Sequence, residues 1–383
     1  MNVLFCTNLP APYRVDFFNL LGQRVNLTVT FSETPKGQTE ETEKRDLRWF
    51  HEDYDNFRVV FLKGCSPFGK CAALLPVLRE RYDHVILGGY TSPTATFTAA
   101  YLRLHKRPFL IELDGGYTDN SVFREESALH YRIKKAVMTA ASGYLGSGEA
   151  SQKFFAHYGA NPELIYRYPF TGLRKADLLE ERARESICRT EQVAIRKKLG
   201  MPEKYIVLYV GQFITRKGVD ALLKAAPSLP PETGVYIVGG EPPKEYAEIV
   251  KELSLRNAHF VGFKSKEELR DFYHAADVFV SPTRQDFWGL TINEALSYGI
   301  PVVSTSKCTA AVELLKNGQN GYVVPANNSM ALAEAIRKVL EGDVALFRRN
   351  ALESISGYTL ENMVSRHMEI LEDIARKNAG TNG

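Results

Sequence analysis

The chain is poor in several features that would each have pointed towards a function. Among its 383 residues only five are cysteines, Cys6, Cys65, Cys71, Cys188 and Cys308. Their number is odd and no pair has metal-ligand spacing. That excludes a cysteine-based zinc module and a disulfide framework, and it reads as buried thiols in a reducing, cytoplasmic compartment. The net charge is only +3, too little to argue for a nucleic-acid partner. No apolar run approaches the length of a membrane-spanning helix. The opening residues, Met1 to Pro10, have no basic stretch and too short an apolar run for a signal peptide, so none is expected. No Gly-x-Gly-x-x-Gly occurs, which weakens a dehydrogenase reading.

What is present is an ordinary soluble composition, 44% hydrophobic and 24% charged, in a chain long enough for two domains. Short apolar runs alternate with helical patterns. In the first half these runs are Val3–Cys6, Leu27–Phe31, Val59–Leu62, Val85–Leu87, Pro108–Leu113 and Tyr144–Leu145. In the second they are Tyr205–Val210, Val235–Val238, His259–Val261, Val278–Val280, Pro301–Ser304 and Tyr322–Val324. The alternation predicts an α/β protein of two doubly wound parallel sheets, with ligands at the carboxyl ends of the strands and in the cleft between the domains. The boundary falls after Tyr168-Pro169-Phe170. The expected division is 1–170, a helical linker over 171–203 that includes the charged stretch Lys175–Glu185 and a helix over Glu191–Leu199, and 204–358. The tail Thr359–Lys377 reads as an amphipathic helix with Met363, His367, Ile370, Leu371 and Ile374 near one face.

The most informative segment is Ser281–Ile300. An apolar strand ends at Ser281-Pro282. A helix opens near Gly289 and runs to Tyr298, with Gly299 as its stop. Asp286 and Glu294 stand on either side of Gly289-Leu290-Thr291. A helix start favours phosphate, and a carboxylate can accept both hydroxyls of a ribose. The arrangement suits a nucleoside diphosphate with something attached, although a strand-loop-helix unit with solvated acids would show the same residues.

Asp286-Phe287-Trp288-Gly289-Leu290, followed by Asn293-Glu294-Ala295 and Gly299-Ile300-Pro301-Val302-Val303, resembles the acidic-x7-acidic motif of retaining glycosyltransferases of family four, which have the GT-B fold. The family usually has Glu at the first acidic position, where this chain has Asp286. Val210–Val219 contains Arg216-Lys217-Gly218 and resembles the family's Gly-Arg-x-x-x-x-Lys-Gly element, with Gln212 where Arg is usual and Arg216 as a substitute cation. Arginine can grip a diphosphate with two donors and lysine acts as a point charge; a solvated basic pair in a turn is the plainer alternative.

The resemblance implies GT-B architecture, with 1–170 an acceptor domain completed by the helix 359–378, and 204–358 a donor domain. It implies a retaining, metal-independent and cofactor-free transfer from a UDP- or GDP-linked sugar to a hydroxyl of a glycan or lipid-linked acceptor. Donor contacts are expected from Gly211, Gln212, Arg216, Lys217, Gly240, Phe263, Lys264, Asp286, Trp288, Gly289, Leu290, Thr291 and Glu294. Arg216, Lys217, Asp286 and Asp114 carry the catalytic expectations. Pro12, Tyr13, Arg14, Asp114 and Gly115 are expected on the acceptor side, Arg14 as an anchor for an anionic acceptor. Asp114 stands where many relatives have His. For Arg14 a helix-surface role, and for Asp114 a simple Gly-Gly turn, remain open. The alternatives for the whole chain are a nucleotide-sugar epimerase of the same fold and a non-catalytic nucleotide-binding protein.

Three further patterns point elsewhere. Gly64–Cys71 approaches a Walker A loop but has Cys71 where Ser or Thr must ligate magnesium. Asp53-Tyr54-Asp55 matches a metal-binding Asp-x-Asp but precedes a strand, and reads as loop. Tyr101–Arg107 and His130–Lys135 mix basic with apolar residues, which fits either peripheral contact with an anionic bilayer or two solvated basic helix faces.

Overall fold

The computed structural model describes residues 1–35, 47–50, 53–64, 66–116, 126–178 and 189–380. Cys65, Tyr117, Cys188 and most of the charged stretch Lys175–Glu185 lie outside them. The chain divides into two units, Met1–Gly172 with Thr359–Gly383, and Leu173–Tyr358.

The first unit holds seven parallel strands: β1 Asn2–Thr7, β2 Asn26–Phe31, β3 Arg58–Phe61, β4 His84–Leu87, β5 Leu110–Leu113, β6 Gly143–Gly146 and β7 Ile165–Arg167. Their order is β3-β2-β1-β4-β5-β6-β7. The period of two along each strand divides the core. Leu4, Leu87 and Ile111 face a cluster with Leu78, Leu102, Met138 and Phe155 from the crossover helices. Phe5 faces the other way, onto Phe18 of the helix Pro12–Gly22. Against that helix packs the terminal helix Leu360–Gly380. Its Ile370, Leu371 and Ile374 are buried, each worth about 1.5–3 kcal/mol. The three-residue β7 is the strand that sequence patterning did not find; at a sheet edge, with all three residues at least partly exposed, it carries no apolar run.

The second unit holds β8 Tyr205–Val210, β9 Thr233–Val238, β10 Ala258–Val261, β11 Val278–Ser281, β12 Val302–Thr305 and β13 Gly321–Val324. They are parallel and ordered β10-β9-β8-β11-β12-β13. Part of the expected linker belongs here. The helix Arg189–Leu199 packs on the helix Lys266–Ala275, and Arg196 bonds the Ala275 carbonyl at 2.9 Å and Asp277 at 2.8 Å. It is part of the second unit.

In both sheets the chain starts mid-sheet, runs to one edge and returns beside its first strand. The switch points are β1/β4 and β8/β11, and ligands bind at the carboxyl ends of strands at such points.

Candidate functional site

In the second unit the loop after β8 carries Arg216 and Lys217, and the loop after β11 carries Asp286. The structure brings them together. Lys217 Nζ donates to Asp286 Oδ2 at 2.5 Å, and Arg216 Nη1 lies 3.7 Å from Oδ1. Two cations against one carboxylate leave the group with a net charge of +1, suited to a diphosphate.

Several residues absent from the sequence reading hold this geometry. Thr283, fully buried, donates to the Arg216 carbonyl at 2.9 Å, and the Arg284 backbone N–H reaches the same oxygen at 2.7 Å. The Arg284 guanidinium bonds the Thr215 carbonyl at 2.6 Å and Asp220 at 2.7 Å. The two loops are thus tied by main-chain and side-chain bonds. Asp286 is pinned by its own backbone, donating to the Lys307 carbonyl at 2.9 Å and accepting from the Thr309 N–H at 3.3 Å.

Two glycines are required here. Gly218 has φ +68°, and an added Cβ would sit 2.1 Å from the Pro282 carbonyl oxygen. Gly289, with φ +104°, caps the helix Leu290–Ser297, and a Cβ there would lie 2.6 Å from Cys308 Sγ. Only glycine tolerates both the dihedral and the approach. The Cys308 thiol donates to the Trp288 carbonyl at 2.9 Å; burial, with the nearby Asp286 charge, pushes it up to about 12, so it is an inert packing group.

Glu294 lies on the same helix, half-buried, and accepts from the Tyr273 hydroxyl at 2.6 Å. Burial holds its carboxyl above the usual range, and the Tyr273 bond opposes that only in part. Leu290 and Thr291 begin the helix and are half-buried. Gly211 and Gln212 follow β8, and the Gln212 carbonyl accepts from the Tyr209 hydroxyl at 2.9 Å. Phe263 and Lys264 follow β10, with Lys264 already paired to Glu268 at 3.0 Å. Gly240 is exposed; it is Gly239 that touches the site's framework, because a Cβ there would lie 2.3 Å from the Gly211 carbonyl oxygen.

Trp288 requires a correction as a donor contact. It is 3% exposed, and its indole N–H donates to the buried Asn293 Oδ1 at 2.9 Å. It locks the loop to the helix from inside, while its neighbour Phe287 is the exposed ring.

In the first unit a cavity of about 230 Å³ opens at the β1/β4 switch point. Its described lining includes Thr7, Asn8, Tyr13, Arg14, Trp49, Gly88, Glu112 and Asp114. Of the residues expected on the acceptor side, Tyr13, Arg14 and Asp114 are among this lining. Pro12 instead opens the helix that follows β1, and Gly115 is buried; neither is among the described lining residues.

Arg14 is not the free anion anchor expected. It is 4% exposed, donates to Glu112 Oε1 at 2.6 Å, and bonds Asp114 with its other terminal nitrogen. Burial would lower its pKa, but the Glu112 charge and hydrogen bond together with Tyr168 and Tyr13 outweigh this and raise it. Glu112 is also fully buried. It accepts from Tyr168 at 3.1 Å and from His367 Nε2 at 3.1 Å. Burial would raise its carboxyl, but the Arg14 and His367 charges and hydrogen bonds hold it at about 2. The His367 ring also bonds the Met363 carbonyl through Nδ1 at 2.7 Å. Glu112, Tyr168 and His367 were missed as site residues. The available signals were a glutamate inside an apolar strand and a histidine on the apolar face of the tail helix, both of which call for a buried partner.

Asp53 and Asp55 lie in irregular chain before β3, and among the described residues no group of three or more His, Cys, Asp or Glu is placed to hold a metal ion. No described helix is long and apolar enough to cross a membrane.

Comparison with known proteins bears on the family and the fold. Lipopolysaccharide glucosyltransferase WaaG of Escherichia coli K12 is 29% identical over 187 residues, 47% of this chain and 46% of WaaG. A D-inositol 3-phosphate glycosyltransferase of Xylanimonas cellulosilytica is 30% identical over 164 residues, 40% of this chain and 38% of that protein. Each match spans less than half of the relative's own length. Among solved structures, Anabaena HepE in complex with UDP superposes with a TM-score of 0.77 at 18% identity, covering 97% of this chain and 100% of HepE. At that identity the likeness is one of fold, and the two doubly wound units are those expected of GT-B. The family model for glycosyl transferases group 1 matches residues 191–354, the stretch that carries Arg216, Lys217, Asp286 and Glu294. That stretch of the chain belongs to the glycosyl transferases group 1 family.

Proposed function

We propose that the protein is a retaining, metal-independent glycosyltransferase of family four, moving a sugar from a nucleoside-diphosphate sugar to a hydroxyl of a glycan or lipid-linked acceptor. The observation that carries this reading is the convergence of Arg216 and Lys217 on Asp286 at the β8/β11 switch point. The leaving group is a diphosphate, and the work of catalysis is to stabilise its developing charge. Lys217, Arg216 and the amides at the start of the helix Leu290–Ser297 supply donors for it. Asp286 holds the sugar as it becomes oxocarbenium-like, and also orients Lys217. Glu294 holds the ribose. UDP is placed ahead of GDP because HepE, which shares the fold, is described with UDP and with UDP-glucose.

Calorimetry and thermal unfolding with UDP, GDP, ADP and CMP test this. A nucleotide at a hundred times its dissociation constant should stabilise the protein by about 2.7 kcal/mol. Affinity should decline on acidification at a higher pH than for an ordinary carboxylate, because the raised Glu294 carboxyl takes its proton sooner and then loses its capacity to accept both ribose hydroxyls. Glu294→Gln should bind more weakly and lack that component. Equal affinity and an identical pH profile in the variant would remove the ribose contact. Donor converted with no acceptor present would instead favour an epimerase; donor bound but never consumed would favour a binding protein.

The acceptor's setting is read from the helix Ala128–Met138. Leu129 and Ile133, one turn apart, are 67% and 45% exposed, and Arg132 and Lys135 beside them are exposed as well. This inverted amphipathicity suits peripheral contact with an anionic bilayer, within reach of a lipid-linked acceptor. In flotation assays the protein should rise with vesicles containing anionic lipid and not with neutral ones. Leu129→Asp with Ile133→Asp should abolish this. Equal behaviour with both vesicle types would remove the membrane reading and leave the transferase untouched.

A further inference from the structure

We infer that the cavity of the first unit is a subsite for one uncharged sugar ring, stacked on Trp49 and hydrogen-bonded through its hydroxyls to Asp114 and Asn8. This rests on the proposed sugar transfer and names the acceptor class it takes.

Size is the first constraint. Pockets for drug-sized ligands run to about 300–1,000 Å³. At about 230 Å³ this cavity holds a single ring rather than an oligosaccharide. The second constraint is charge. The charged groups among its described lining are Arg14, Glu112 and Asp114, which sum to −1. Arg14 is the only cation there, and its two terminal nitrogens already serve Glu112 and Asp114. A phosphate or carboxylate on the ligand would meet the Asp114 carboxylate with no spare cation among the described lining to offset it.

The remaining chemistry is that of hydroxyl recognition. The Asp114 side chain is 30% exposed, against none for Glu112. Its Oδ1 is taken by Arg14, while among the described residues Oδ2 meets the Tyr13 hydroxyl at a long 3.4 Å and can accept from a ligand. Asn8 commits its Oδ1 to the Leu9 N–H at 2.8 Å, which leaves its amide NH2 as a donor. One acceptor and one donor beside an aromatic ring match a sugar, whose C–H-lined face is weakly positive and rests on the negative face of an indole. Glu112, Tyr168 and His367 act as positioning residues: Tyr168 and His367 hold Glu112, Glu112 holds Arg14, and Arg14 holds Asp114.

The chain has two tryptophans, Trp49 and Trp288, so fluorotryptophan-labelled protein gives two fluorine NMR signals, assigned with Trp49→Phe. The full chain is titrated with the methyl glycosides of glucose, galactose and N-acetylglucosamine, and with glucuronic acid and a hexose phosphate. The Trp49 signal should shift with at least one neutral glycoside, and the anionic sugars should bind at least tenfold more weakly. Asp114→Asn should weaken the neutral sugar tenfold or more, and Asn8→Ala, which breaks no ion pair, should weaken it too. The inference fails if an anionic sugar binds as well as a neutral one. It also fails if no sugar moves the Trp49 signal at up to about 50 mM, a limit near −1.8 kcal/mol, or if both variants bind as wild type. Nucleotide binding by calorimetry on the same sample separates the two readings: nucleotide bound with Trp49 silent sinks the subsite alone, and Trp49 responsive with no nucleotide bound sinks the transferase alone.

Discussion

Lys217→Ala is expected to slow sugar transfer by about 10²–10³-fold, the effect of removing one donor aimed at developing negative charge, or roughly 3–4 kcal/mol. Its Nζ sits 2.5 Å from Asp286 in a group whose geometry is fixed by two tied loops, so no neighbouring cation can move in cheaply. Arg216, 3.7 Å from the same carboxylate, is held by its own bond to the Gln285 carbonyl. The loss should appear mainly in kcat, because the charge that Lys217 meets is largest as the diphosphate leaves. Asp286→Asn should also slow transfer. The double variant should be much less than additive, because each residue acts through the other. Turnover in Lys217→Ala within a few-fold of wild type, in a protein of unchanged thermal stability, would refute the assignment.

Arg14→Met should have the largest effect on stability, about 3–5 kcal/mol in the first unit, because it leaves the buried Glu112 without its closest cation. Methionine roughly conserves the buried volume, so the loss is electrostatic rather than a cavity. The pH dependence has a definite sign. In the wild type Glu112 is held at about 2, so its contribution is present above the ordinary carboxylate range and lost as pH falls towards that value. Without Arg14 the folded-state carboxyl titrates higher. The gap between wild type and variant should therefore be widest near neutrality and narrow on acidification. Thermal unfolding at several pH values reads this directly; a gap independent of pH would show that Glu112 does not carry the effect. The same network explains why Arg14 cannot be the anion anchor that its place after β1 suggested.

The strands were legible because each is a short apolar run with local punctuation, and burial on both faces of a parallel sheet demands that pattern. All twelve expected runs are strands; the missed Ile165–Arg167 is an edge strand without such a run. The helix after Gly289 was legible for the same local reason, since a residue at positive φ that starts a helix, and another at Gly299 that ends it, must be glycine or close to it. Trp288 was misread because a sequence pattern gives position along the chain, not which way an indole turns. Only the packed structure shows it turning inward to Asn293.

By itself, then, the amino-acid sequence determined what is set within a few residues: the strands, the turns that end them, and the placing of Arg216, Lys217, Asp286 and Glu294 at strand ends and a helix start. Tertiary structure alone decided which of those groups meet. Lys217 finds Asp286 69 residues away because β8 and β11 are neighbours at the switch point, and Glu112 finds His367 255 residues away because the terminal helix returns to the first unit. Strand order and crossover bring such charges together, and once they are out of water each must be paired. That requirement acts on the folded whole and leaves no local pattern to read.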